Sequence, residues 1–168
     1  MNKLVLNLIG EINEDMFLAV TSTLDKLEAK EGPSEIIIRL NSQGGAAYDA
    51  LAIAGRLRAS SVFSICEVFG ACMSAATIIL AASDRRRMSR EAWVMLHDNT
   101  DRFKGQVTEL SRAVSQMETE EQQWANLLES YTDTPEATWR KLSKQTTYLS
   151  ATQAFQLGLV DEIIRGKK

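Results

Sequence analysis

An α/β fold, with a largely parallel sheet covered by helices, is predicted from three features of the sequence. Short apolar, β-branched runs alternate along the chain with stretches whose apolar residues recur every three or four positions. The run EIIIRL at 35–40 reads as a strand buried on both faces, the environment a parallel sheet provides. No repeat, low-complexity tract or Pro/Ser-rich linker interrupts the 168 residues, so one domain over 1–168 is expected.

In order, Leu4–Ile9 is a short strand closed by Gly10. Phe17, Val20, Leu24 and Leu27 lie on one face of a helix of about 16 residues, which Gly32-Pro33 ends. Glu35–Leu40 is the second strand, followed by Gly44-Gly45 and a helical stretch to about Ala59. Val62–Val68 is a buried strand, Ala71–Ala82 a helix of mostly small residues, and Trp93–Leu96 another strand. From Val107 to Leu128 an apolar stripe (Val107, Leu110, Val114, Met117, Trp124, Leu128) predicts a helix of roughly 33 Å, broken only at Glu121. Thr134 as cap and Pro135 as first helical residue start the next helix. Ala151–Leu157 forms a short helix stopped by Gly158, and Leu159–Ile164 a last strand.

Composition excludes several functions. Lys and Arg number 19 against 22 Asp and Glu, a formal net charge of −3, which lacks the basic footprint of a nucleic-acid binder. Two cysteines, Cys66 and Cys72, are too few for a disulfide framework and read as buried small hydrophobes in a reducing, cytoplasmic setting; no metal or cofactor site is expected. The start is a poor signal peptide, and the longest small/apolar run, Ala71–Ala82, is too short to span a bilayer, so a soluble protein with no membrane partner is expected.

His97 is the only histidine, so any histidine chemistry must use it. Ser74 stands where a strand passes into an apolar helix. A hydroxyl there sits at the carboxyl edge of the sheet beside unpaired helix N–H groups that can stabilise an oxyanion, and the small residues Gly70, Ala71, Ala75 and Ala76 would admit a substrate backbone. The same segment also reads as tight packing with one serine. Asn41-Ser42-Gln43-Gly44-Gly45 repeats the layout of strand, glycines and helix; it is either an ordinary βα turn or a set of exposed amides, and it lacks the spacing of a phosphate loop. Arg85-Arg86-Arg87 with Arg90 is expected to be a solvated turn.

Together these segments resemble the proteolytic subunit of the Clp protease (ClpP) and its phage and mobile-element relatives, over nearly the whole chain. NSQGG at 41–45 is similar to the family's NSPGG, and Gly70-x-x-x-Ser74 with IILAAS to its GxAASMxxxLLxAG. Val94–His97 resembles VMIH, Gly105-Gln106 its GQ, and Tyr148–Ala151 through Gly158–Asp161 its FLSAxEAxxxGLVD ending. The resemblance implies a ClpP/crotonase-like βαβ spiral with a long handle helix from Val107, preceded by a strand at Gly105-Gln106. It implies Ser74 as nucleophile, His97 as general base, and the amides of Gly45 and Ala75 as oxyanion hole. Peptide or protein substrates would add as a strand beside Gly44-Gly45 and the handle strand.

Departures from the pattern shape the expectation. The family's triad Asp falls on Thr146, which implies a weak or conditional serine peptidase, with Asp98 or Asp101 as substitute acids. The chain begins at the family's first strand, so a homo-oligomeric ring, singly or stacked, is expected without a standard Clp ATPase partner. Two other readings stand beside this one. Thr146 suits a catalytically silent scaffold or assembly subunit, and the fold is shared with crotonase-type acyl-CoA enzymes.

Overall fold

Three strand–helix steps in a row lay down the sheet. A computed structural model, describing residues 2–100 and 102–166, begins with β1 (Asn2–Ile12), α1 (Glu14–Glu28), β2 (Ser34–Gly45), α2 (Ala47–Ala59), β3 (Phe63–Met73), α3 (Ala76–Ala82), β4 (Arg85–Ser89) and β5 (Trp93–Leu96). It continues with α4 (Val107–Thr132), α5 (Glu136–Lys144), β6 (Thr147–Ser150), α6 (Ala151–Gln156) and β7 (Glu162–Ile164). Strands β1 to β4 lie side by side in chain order, all parallel, and β7 extends the sheet beyond β4. Sequential parallel neighbours joined by crossover helices make the βαβ arrangement expected from the alternation.

Alternation along each strand decides where the core sits. Leu8, Leu40, Val68 and Met88 share one register row and are almost wholly buried. The next row on the opposite face is a ladder of charge: Arg39 to Glu67 (3.6 Å), Glu67 to Arg87 (2.8 Å) and Arg87 to Glu162 (3.2 Å). Helix α3 is the most enclosed element, with all seven residues buried, which is why it is built from Ala, Ile, Leu and one Thr. No helix among the described residues is long and apolar enough to cross a membrane.

A crease runs across the first three strands. Register shifts fall between Ile9 and Glu11 in β1, and between Leu40 and Ser42 in β2, where β3 carries the extra residues Phe69 and Gly70. Gly10 sits at the crease with φ of +97°. In β2 and β3 the Asn41 side chain fills the gap, its Oδ1 accepting the Ala71 N–H at 2.8 Å. A Cβ on Gly70 would come within 2.6 Å of that oxygen. Gly70 therefore makes room for Asn41, not for a substrate backbone as the sequence reading has it. Beyond the crease β3 changes partner: Ile65–Val68 pair with β4, whereas Ala71–Met73 pair with β5.

Several other expectations need correction. The helix predicted over 71–82 starts only at Ala76, because hydrogen bonding to β5 holds 71–73 extended whatever their helical propensity. The arginine run is no solvated turn. Arg85–Arg87 lie in β4, with Arg86 on Asp161 and on the Tyr131 carbonyl, and Arg85 and Arg87 on Glu162. No strand forms at Gly105-Gln106; Gln106 instead caps α4 in a reciprocal box with Glu109. Pro135, not Thr134, is the N-cap of α5, while the Thr134 hydroxyl donates to the Leu157 carbonyl. Strand β6, unrecognised in the sequence, pairs antiparallel with β5. Helix α4 is longer than predicted, 26 residues and about 39 Å.

Candidate active site

Ser74 and His97 meet because of strand register. Met73 pairs with Met95, and the Ser74 N–H donates to the Met95 carbonyl at 2.8 Å, so the residues just past both strand ends lie about one strand spacing apart. The imidazole Nε2 lies 2.8 Å from the Ser74 Oγ, within hydrogen-bond range. Both side chains are half-buried.

Ser74 occupies a sharp, strained turn. Its φ is +53°, rare for a residue with a Cβ, and its carbonyl is held by the Thr77 N–H (3.0 Å) and the buried Thr77 hydroxyl (2.7 Å). This turn takes the chain from β3 into α3 and leaves the hydroxyl at the strand's carboxyl end. The Ala75 N–H precedes the first turn of α3 and has no acceptor among the described residues.

Against this turn packs the Gly-Gly pair. Gly44 has φ of +103°, and a Cβ there would fall 2.8 Å from the Ser74 Cβ and 2.9 Å from the Met73 carbonyl. Its N–H is already taken by the Ser42 hydroxyl at 3.0 Å. Gly45, with φ of +147°, lies so close to the β1 backbone that a Cβ would strike the Ile12 carbonyl. Glycine is required at both positions by sterics as well as by φ. Ser74, Ala75, Gly45 and His97 all line one cavity of about 330 Å³.

The third expected group is only partly delivered. Antiparallel register pairs Leu96 with Thr147, and one further step sets Thr146 opposite His97. Thr146 itself is exposed, in a turn with φ of +48°, and among the described residues no side chain hydrogen-bonds to the Nδ1 edge of His97. Asp98 lines the cavity without bonding the ring; Asp101 lies outside the described residues.

The far wall was not foreseen. Met117, Glu120, Glu121 and Trp124 of α4 face the cavity, with Arg140 and Lys144 of α5. The Tyr48 hydroxyl donates to Glu120 at 2.5 Å, linking the start of α2 to α4, and this contact holds the Glu120 carboxyl below its usual range. In the sequence Met117 and Trp124 read as part of the apolar stripe of α4 and Glu121 as its one break, while Glu120, Arg140 and Lys144 left no signal. Cys66 and Cys72 are buried and free, away from the cavity lining; burial pushes the Cys66 thiol up to about 12 and Cys72 in the same direction. A family model described as Clp protease matches residues 1–167.

Proposed function

The chain belongs to the Clp protease family, a family of peptidases, and on that premise we propose that it is a serine peptidase acting through an acyl-enzyme on Ser74. The observation that carries this reading is the 2.8 Å contact between Ser74 Oγ and His97 Nε2. Neutral His97 takes the serine proton through Nε2 as Oγ attacks the scissile carbonyl. The tetrahedral oxyanion is received by the amides of Gly45 and Ala75, a type of contact worth roughly 3–4 kcal/mol per donor in serine hydrolases. His97 then protonates the leaving amine, and water, activated by the same imidazole, releases the acyl group. Substrate backbone runs beside Gly44-Gly45 on the side of Gly45, which is exposed and lines the cavity, whereas Gly44 is buried against the Ser74 turn. The particle is a ring of identical subunits, with the exposed first half of α4 available for contacts between them.

A serine-reactive fluorophosphonate probe tests the reading. Wild-type protein is expected to label, Ser74→Ala to lose all label, and His97→Ala to label at least about a hundredfold more slowly. An assembled wild-type protein that takes no label removes the peptidase reading. It would leave the second one, a silent assembly subunit, which the absence of a carboxylate on His97 among the described residues favours.

A further inference from the structure

Helix α4 carries an acid where its apolar stripe calls for a hydrophobic residue, and the contact made by that acid explains the exchange. The Oε1 of Glu121 accepts the backbone N–H of Asn99 at 3.2 Å. Asn99 lies two residues beyond His97, in a stretch (97–100) with no regular secondary structure. The last ladder pair before it is Leu96 with Thr147, so the imidazole hangs just past the point where sheet hydrogen bonds stop fixing the chain. Glu121 is half-buried and faces the same cavity as Ser74 and His97. Of the other charged groups on that cavity, Glu120 is engaged by Tyr48 and Gln116, Arg140 pairs with Glu136, and Asp98 and Lys144 complete the set.

We propose that Glu121 is a positioning residue for His97, anchoring the chain behind the imidazole to α4 through the Asn99 amide. It supplies by anchorage part of the orientation that a carboxylate on Nδ1 would give, which matters most in a chain with Thr at 146. A ring that must hold Nε2 on the serine hydroxyl through two proton transfers loses rate steeply with small displacements. The inference rests on the peptidase reading for its consequence in rate, although the anchor itself is a structural claim.

The test compares Glu121→Leu, which restores the apolar stripe, with Glu121→Gln, whose amide oxygen still accepts from Asn99. Glu121→Leu is expected to melt no lower than wild type and to acylate with the fluorophosphonate probe roughly 10- to 100-fold more slowly. Glu121→Gln is expected to recover most of that loss. Because the chain holds a single histidine, its Cε1–H signal in isotope-labelled protein reports the ring without activity: split or broadened in the Leu variant, close to wild type in the Gln variant. Labelling of Glu121→Leu at the wild-type rate overturns the proposal, as does a Gln variant no faster than the Leu variant. If wild-type protein takes no label, the peptidase reading falls by itself; an unchanged histidine signal in Glu121→Leu then overturns the anchor separately, and an altered one sustains it.

Discussion

In the proposed peptidase, Thr146 is the single side chain on which the power of the site turns. The β5–β6 register ends one residue short of it, opposite His97 in sequence step but exposed in its turn, and a hydroxyl carries no charge with which to stabilise an imidazolium. Its φ of +48° is also a poor conformation for a β-branched residue, whereas Asp tolerates the left-handed region more readily. Thr146→Asp is therefore expected to keep or raise the melting temperature. The same change is expected to speed probe acylation of Ser74 by at least about tenfold, since loss of the equivalent carboxylate in a serine protease costs about 10⁴ in kcat. A second-order labelling rate unchanged from wild type would mean that residue 146 does not reach the ring. At this scale Ser74 and His97 were both legible in the sequence. Gly70 was read only as one of several small residues admitting a substrate backbone; its reason, the Asn41 side chain, is a contact 29 positions away and leaves no local signal.

At the scale of elements, helices α1 and α2 are joined by a clamp in which Arg56 reaches Glu28 at 2.7 Å and Asp25 at 2.8 Å. Hydrogen bonds from Arg56 and then Ser60 hold the Glu28 carboxyl down to about 2, from an ordinary 4.5. A carboxyl lowered in the folded state contributes stability that is complete above its unfolded value and disappears as pH falls through the folded one. The contribution of Glu28 should thus fade between about pH 4.5 and pH 2. Arg56→Met is expected to cost on the order of 1 kcal/mol near neutral pH, since the groups are part-exposed and screened, and much less near pH 2. Thermal melts of both proteins at the two pH values check this; an undiminished gap in acid would mean the arginine acts by packing. Element boundaries also mark where local propensity loses. Residues 71–73 and 85–89 read as helix and turn, but both became strand because partners elsewhere in the chain supplied the hydrogen bonds.

On the scale of the whole molecule, α4 is two helices in behaviour. Its second half buries Ala125 and Leu128 in the core, while its first half stands away from it, with Val107 84% exposed and Val114 53% exposed. The apolar stripe read from the sequence runs through both halves and is broken only at Glu121, so the exposed half is the part left for another subunit in the proposed ring. Wild-type protein is expected to sediment as an oligomer, and Val107→Glu with Val114→Glu to give smaller particles at unchanged secondary structure by circular dichroism. A monomeric wild type, or a double variant that sediments as wild type does, would remove α4 from the assembly.

Sequence alone determined the α/β class and the order of the first strands and helices, and singled out Ser74 and His97 as candidates, because hydrophobic periodicity and short motifs are local. Only tertiary structure decided the crease at Gly10, Asn41 and Gly70, the exchange of partners along β3 that brings residues 74 and 97 together, and the contact of Glu121 with Asn99. These depend on which distant backbone groups complete each other's hydrogen bonds, and no local window of sequence contains both partners.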